Sequence, residues 1–269
     1  MTDIHAEGHP KSHPYHMVKP SPWPAMGAFS ALVLAPGFLL LMKADQWWLF
    51  IIGVLLVLAT MFLWWRDVIK EGTFEGVHTK IVQRGLRYGM ALFIASEVMF
   101  FAAFFWAFFN ASILPTEVVG GVWPPIGVET FNAWDIPLIN TIILLTSGVT
   151  CTWAHHEIKH GHNERAAWAL VLTVTLGLCF TALQIFEYAH AHFGFREGIY
   201  PSTFFMATGF HGFHVIVGTC FLAVCMVRAF KGHFKPDQHV GFEAAAWYWH
   251  FVDVVWLFLF GWIYWWNGG

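Results

Sequence analysis

The stretch YGMALFIASEVMFFAAFFWAFFNASIL, residues 88–114, contains one charged residue, Glu97, in 27 positions. A bilayer core about 30 Å thick requires about 20 apolar residues in a helix, because lipid offers the backbone no hydrogen bonds. This stretch therefore predicts a helix that crosses a membrane. The composition agrees, since 57% of the residues are hydrophobic and 12% are charged, whereas a soluble domain is about 25% charged.

Six further segments meet or approach the same standard. The predicted spans are 25–42, 46–65, 88–114, 136–156, 166–190, 203–228 and 243–266. The first is the weakest because Pro36 and Gly37 interrupt it, and its short connection to the second predicts a hairpin. The predicted fold is an all-α integral membrane protein, with a polar tail (1–22) that lacks the apolar core of a signal peptide, followed by a seven-helix domain (23–269).

The positive charges are distributed unevenly around these spans. Twelve of the 14 Lys and Arg residues lie in the N-terminal tail or in connections on its side of the membrane, whereas Lys43 and Arg196 lie on the other side. Positive residues are retained on the cytoplasmic side. The chain is therefore predicted to begin inside and end outside.

Glu97 is the most informative polar residue. It follows Arg87 by ten positions, about 15 Å of helix rise, which places it near the middle of the membrane. A charged carboxylate there costs several kcal/mol, so we expect a protonated acid or one hydrogen-bonded to a partner. It could bridge two helices, or it could serve in proton transfer or lipid gating.

Further polar side chains lie within later spans at helical spacings, and we interpret them as an interhelical polar network, with a conducting pathway as the alternative. Its predicted members are Glu187, His190, His211, His214, Glu243, His250 and Asp253. A second group combines cations and aromatic rings at the inner membrane level, where they could hold lipid phosphates or merely set topology. This inner rim comprises Trp65, Arg66, His78, Arg228, Lys231 and His233.

Metal and cofactor sites are not indicated by these patterns. No span carries two His about four turns apart, as a membrane b-type cytochrome requires, and the last span lacks the Lys that retinal needs. His5, His9, His13 and His16 could bind a metal, but we interpret the segment as a solvated tail. The four Cys are interpreted as small buried hydrophobic residues, and no Lys/Arg cluster is dense enough for nucleic acid.

Several long motifs resemble subunit III of the aa3-type cytochrome c oxidases, over nearly the whole chain beyond residue 20. They include Trp64-Trp65-Arg66-Asp67-Val68, Gly85-Leu86-Arg87-Tyr88-Gly89-Met90, Ser96-Glu97-Val98-Met99-Phe100-Phe101, Ala207-Thr208-Gly209-Phe210-His211-Gly212-Phe213-His214 and the run from Gly241 to Phe258.

The resemblance implies an architecture and a set of partners. Helices 1–2 and 3–7 would form two bundles with a V-shaped, phospholipid-filled cleft between them. The chain would pack on subunit I, beside subunit II, small accessory subunits and cytochrome c supercomplex partners. Haem a, haem a3 and copper would lie in the partner subunits, so this chain would contain no catalytic residue, haem or copper. It would stabilise subunit I, hold phospholipid and support proton uptake.

The resemblance also implies residue roles. Glu97 matches the family's buried carboxylate, and the inner rim matches its lipid-headgroup contacts. Two alternatives remain open at this stage: a membrane enzyme that binds its own haem, and an independent proton-coupled transporter that uses Glu97. The His-rich start favours a bacterial inner membrane over a mitochondrial one.

Overall fold

The computed structural model describes residues 14–117 and 120–268. Within these ranges, seven helices are long and apolar enough to cross a membrane, as predicted. They are α1 (Trp23–Ala44), α2 (Trp48–Thr73), α3 (Lys80–Ile113), α4 (Ile136–Lys159), α5 (Asn163–Ala189), α6 (Ile199–Phe230) and α7 (Val240–Leu259), which continues as a π-helix (Phe260–Trp265) and a last helical turn, α8 (Trp266–Gly268). The all-α seven-span fold is therefore confirmed.

Most of the helices extend past the predicted spans at one or both ends. α2 continues from residue 65 to Thr73, and α3 begins at Lys80 rather than at residue 88. The physical reason is that apolar composition marks only the part of a helix inside hydrocarbon. The backbone can remain helical where polar residues such as Arg66 and Lys70 meet the headgroups.

α1 is continuous, although Pro36 lies within it. The sequence predicted a weak, interrupted first span, and that expectation was wrong. A proline removes one backbone hydrogen bond, but transmembrane helices tolerate this when a neighbouring helix packs against the site. Gly37, beside Pro36, supplies such a contact because its Cα faces the backbone of Leu49 and Phe50 in α2.

The chain divides into two compact units, Met1–Gly85 and Leu86–Gly269. This division matches the predicted bundles of helices 1–2 and 3–7, with the boundary falling in the first turns of α3. The lipid-filled cleft stays a prediction.

Small residues hold the first unit together. The buried residues of α1 are Ser30 and Gly37, and those of α2 are Gly53 and Thr60. A Cβ atom at Gly53 would lie 2.6 Å from Leu34 Cα, so the two backbones are in direct contact. The Ser30 and Thr60 hydroxyls lie 3.2 Å apart and form a hydrogen bond between the helices. Close approach of this kind is how helices associate in lipid, where the hydrophobic effect contributes little.

α7 is the central helix of the second unit, and Trp249 is its fully buried centre. The indole packs against Gly177 of α5 and Gly218 of α6, where a Cβ atom would lie 2.9 and 2.8 Å from the ring. Its Nε1 donates to Ser147 Oγ of α4 at 2.9 Å. Trp256 repeats this contact by donating to Thr141 Oγ1 at 2.9 Å. Each buried indole therefore has a polar partner.

The cysteines only partly match their predicted burial. Cys151 and Cys225 are buried, but Cys179 and Cys220 are exposed on the surfaces of α5 and α6. The prediction was wrong for these two because nearly every position of an apolar span is hydrophobic. In such a helix the inward face cannot be recognised from hydrophobicity alone.

Gly53→Ala tests the close contact between α1 and α2. The added methyl group would collide with the Leu34 backbone, so we expect a loss of about 1–3 kcal/mol of unfolding free energy. Gly27→Ala is the matched control, since no heavy atom lies within 4 Å of its Cβ position. Thermal unfolding of the detergent-solubilised protein, followed by circular dichroism, measures the effect. Equal melting temperatures for the two variants would contradict the packing described.

Candidate functional site

Glu97 on α3 and His214 on α6 form a polar pair, in which His214 is buried and Glu97 is partly buried. Glu97 Oε2 lies 3.1 Å from His214 Nε2, and the His214 side chain is 4% exposed. His214 Nδ1 lies 2.8 Å from the carbonyl oxygen of Phe210. A carbonyl can only accept, so Nδ1 carries a hydrogen, and a neutral imidazole then presents a lone pair at Nε2. The pair therefore shares one proton between Glu97 and Nε2.

Aromatic rings enclose this pair. The imidazole of His214 lies 5.0 Å from the Phe101 ring, 4.5 Å from the Phe210 ring and 6.0 Å from the Tyr248 ring, measured between centroids. These rings come from three different helices and surround the imidazole with apolar surface. A single shared proton in an apolar surrounding suits a neutral hydrogen bond better than a separated ion pair.

His211 lies one turn before His214 on α6 and is fully buried. Its Nε2 donates to the carbonyl oxygen of Val252 on α7 at 3.1 Å. Its ring packs 5.2 Å from Trp256 and 5.8 Å from Phe180, between centroids. His211 therefore joins α6 to α7 rather than joining His214.

Glu187 on α5 forms a second buried pair, with Tyr264. The Tyr264 hydroxyl donates to Glu187 Oε1 at 2.6 Å, and Gln184 Nε2 approaches the same oxygen at 3.2 Å. Tyr264 belongs to the π-helix that follows α7, where the extra residue per turn changes the direction of the side chains. The predicted neighbour His190 turns back onto its own helix instead, where its Nδ1 bonds the Phe186 carbonyl oxygen at 2.9 Å.

His250 and Asp253 lie one turn apart on α7 and contact each other directly. His250 Nδ1 lies 3.2 Å from Asp253 Oδ2, while its Nε2 lies 3.3 Å from Thr152 Oγ1 of α4. The Asp253 side chain is buried, and the carboxylate lies over Gly148, where a Cβ atom would be 2.5 Å from Oδ2. The predicted network is therefore a set of separate pairs at different depths.

The first part of α3, the end of α4 and the start of α7 bring together residues that the sequence did not group. Arg87 Nε donates to Glu243 Oε2 at 2.6 Å, and Nη2 donates to Oε1 at 3.2 Å. His239 Nε2 lies 3.2 Å from Glu243 Oε1. The ring of His155 from α4 lies 5.5 Å from the ring of His239, between centroids. Arg87 and Glu243 are 156 positions apart, so no spacing rule could have linked them.

The inner rim contains residues of both units. In the first unit, Trp65 and Arg66 are exposed at the inner end of α2, and Trp65 borders an apolar groove of about 450 Å³ between α1 and α2. His78 lies beside Glu71 and His16, and these three residues form a compact cluster. Burial and the neighbouring His16 lower the pKa of His78, so it is neutral near pH 7.

In the second unit, the rim residue Arg228 packs its guanidinium group against an aromatic ring. Its guanidinium carbon lies 4.5 Å from the centroid of the Phe234 ring. Lys231 is exposed beside it, and His233 is half-buried. Burial, together with the positive charges of Arg228 and Lys231, lowers the pKa of His233. The positive charge of this part of the rim therefore comes from Arg228 and Lys231, with His233 as a neutral hydrogen-bonding group.

The described part of the N-terminal tail contacts the connection between α2 and α3. His5, His9 and His13 lie outside the described residues. Residues 14–22 have no helix, and the carbonyl oxygen of Pro14 accepts a hydrogen bond from Thr79 Oγ1 at 2.7 Å. His16 therefore lies beside the connection between α2 and α3, where it joins the cluster with Glu71 and His78.

Comparisons with known proteins identify the family. The family model described as cytochrome c oxidase subunit III matches residues 13–268. Similar curated proteins named cytochrome c oxidase subunit 3 come from Arabidopsis thaliana, 58% identical over 258 residues (95% of this chain, 97% of the relative), and from Mus musculus, 57% identical over 257 residues (96% and 98%). The relative from Danio rerio is 56% identical over 257 residues, with the same coverage of 96% and 98%.

A match of this extent covers all seven helices and both units. The chain belongs to the cytochrome c oxidase subunit III family, and it is therefore a multi-pass membrane subunit of an oxidase complex.

Proposed function

We propose that this chain is a non-redox subunit, which stabilises the catalytic subunit I, holds phospholipid and supports proton uptake without a catalytic residue of its own. The observation that carries the proposal is that the acids buried along the spans have partners within the chain. Glu97 pairs with His214, Glu187 with Tyr264, and Asp253 with His250. Two of these pairs join different segments, since Glu97 links α3 to α6 and Glu187 links α5 to the π-helix. The independent transporter is not supported by the family membership.

The two imidazoles in the middle of α6, His211 and His214, do not fit a haem. His214 uses both ring nitrogens, on Phe210 and Glu97. His211 uses Nε2 on the carbonyl of Val252, and the rings of Trp256 and Phe180 pack against its imidazole. A haem ligand needs a free nitrogen lone pair directed into a space large enough for a porphyrin. We therefore propose that haem a, haem a3 and copper are held by partner subunits. An absorbance spectrum of the isolated chain would test this, since a Soret band would contradict it.

The proposed direct partner is subunit I, with subunit II, small accessory subunits and cytochrome c supercomplex partners further away. The spans support such a partner, because large apolar side chains such as Trp106, Leu92 and Val254 are exposed along them and can meet either lipid or another subunit. Purification in mild detergent, followed by mass spectrometry of the companion chains, tests the proposal. Absence of a haem-bearing companion would contradict it.

The proposed location is a bacterial cell membrane, with the N-terminus cytoplasmic and the C-terminus periplasmic. The distribution of positive charge supports this orientation, because Arg87, Lys159 and Arg228 all lie at helix ends on the N-terminal side. The His-rich tail supports a bacterial source. Reporter fusions at residues 160 and 196 would test the orientation, and activity of a periplasmic reporter at residue 160 would contradict it.

The inner rim is proposed as a set of phospholipid contacts. Arg66 and Arg228 would bind the phosphate, while Trp65 would lie against the glycerol region. An acyl chain fits the apolar groove of α1 and α2, which is lined by Gly27, Val57, Trp65 and Val68 among others. The neutral imidazoles of His78 and His233 would add hydrogen bonds.

Arg228→Ala tests the lipid contact in the second unit. We expect the variant to lose bound phospholipid after detergent washing, because the guanidinium fork is the strongest phosphate donor in this part of the rim. Lipid phosphorus and mass spectrometry of extracted lipids measure the loss. Arg165→Ala is the matched control, as Arg165 is an exposed inner-side cation on α5. Equal lipid content in the two variants would count against the proposal.

Glu97→Gln and Glu97→Leu together test the shared proton. The amide of Gln can donate to His214 Nε2 as a protonated acid does. We therefore expect the Gln variant to assemble and to have a thermal stability close to that of the unsubstituted chain. Leu leaves Nε2 buried without a partner, which costs about 1–3 kcal/mol. Thermal unfolding of the purified complex and its retention of this subunit measure the difference. If Gln is as damaging as Leu, a charged carboxylate is required and the neutral pair is wrong.

A further inference from the structure

Three potential ligand atoms meet at the inner ends of α4 and α7. One ring nitrogen of His155, one ring nitrogen of His239 and a carboxylate oxygen of Glu243 all lie within 4.8 Å of one another. His239 and Glu243 are one turn apart at the start of α7, and His155 lies one turn before the end of α4. The ligand atoms therefore come from two helices, close to the aqueous surface on the N-terminal side.

The hydrogen bonds around His239 leave two acceptors facing each other. Its Nδ1 lies 3.0 Å from the carbonyl oxygen of Lys235 and must donate to it. A neutral His239 then presents the Nε2 lone pair, 3.2 Å from Glu243 Oε1, which is also an acceptor. Two lone pairs at this distance repel each other unless a positive species lies between them.

His155 supplies the third lone pair. Within residues 14–117 and 120–268, its Nε2 is buried and has no hydrogen-bond partner. A buried polar atom without a partner costs about 1–3 kcal/mol, so its retention requires an explanation. A cation between His155 and His239 would satisfy the nitrogen atoms of both.

Hydrogen bonds to neighbouring groups hold two of the three residues, His239 and Glu243, in place. The carbonyl of Lys235 fixes the ring orientation of His239, and Arg87 fixes the Glu243 carboxylate with two hydrogen bonds. Metal-ligating His and carboxylate side chains are held by such outer contacts. Arg87 weakens the attraction of the Glu243 carboxylate for a dication. Oε1 of Glu243 nevertheless still faces His239 Nε2.

We propose that His155, His239 and Glu243 bind a divalent zinc ion, which links α4 to α7 at the inner membrane surface. Two imidazoles and one carboxylate form a set of three ligands that Zn²⁺ accepts, with water in the fourth position. Zinc has no redox chemistry, so such a site is compatible with a subunit that carries neither haem nor copper. The expectation from sequence was that the chain binds no metal. Sequence reasoning missed this set because His155 and His239 are 84 positions apart.

Zinc binding to the purified complex tests the proposal. Complexes treated with a chelator are dialysed against radioactive zinc, and the bound ions per complex are counted for the original chain, His155→Asn and His239→Gln. We expect both variants to lose one bound ion per complex or to bind it at least about tenfold more weakly. The difference spectrum in zinc X-ray absorption should show nitrogen and oxygen ligands at about 2.0–2.2 Å.

The matched control is His156→Asn, because His156 is the exposed neighbour of His155 on the same helix. Zinc bound elsewhere, including by the N-terminal His residues, is present in every sample and cancels in the difference. The haem spectrum and the subunit content show whether each variant assembles. If His155→Asn does not assemble, the zinc binding of His239→Gln decides the test. Equal zinc binding by the original chain and the variants would overturn the proposal and leave a proton as the species between His239 and Glu243.

Discussion

The absence of water in the bilayer core is the constraint on which this structure depends. Every backbone polar group at that depth must be satisfied inside the protein, since hydrocarbon offers no partner, and side-chain polar groups are costly there unless they pair. Trp249 and Trp256 each donate an indole N–H to a hydroxyl of α4, and Glu97 and Glu187 each meet a partner from another segment of the chain. These bonds also specify which helices are neighbours, because each one is lost if a helix rotates.

The same constraint explains why small residues hold the helices together. Lipid chains are as apolar as leucine, so burial of apolar surface gives little net gain in a membrane. Contacts then depend on close packing. Gly37 and Gly53 bring the backbones of α1 and α2 together, while Gly177 and Gly218 admit the indole of Trp249. In both units, glycine is required where another group lies closer than any Cβ atom would allow.

Sequence reasoning recovered the fold well and the site only in part. The spans follow from long apolar runs, and the positive charges suggest their orientation. The sequence does not predict that α1 continues through Pro36, because this continuity depends on the packing of α2 against α1. The partners that link Glu97, Glu187 and Glu243 to other helices lie 77 to 156 positions away. Local spacing correctly places His211 and His214 one helical turn apart. It does not show that their ring nitrogens form hydrogen bonds with different groups.

Depth in the membrane separates two kinds of polar cluster in this chain. Near the middle, Glu97 and His214 share one proton and need no further charge, so the pair is complete within the protein. At the inner surface, His155, His239 and Glu243 present more lone pairs than the available hydrogens can satisfy, even with Arg87 bound to the carboxylate. A mid-membrane cluster of that kind would be prohibitively unstable. Near the aqueous surface a cation can enter, and this is why the cluster of His155, His239 and Glu243, unlike the Glu97–His214 pair, has the character of a binding site.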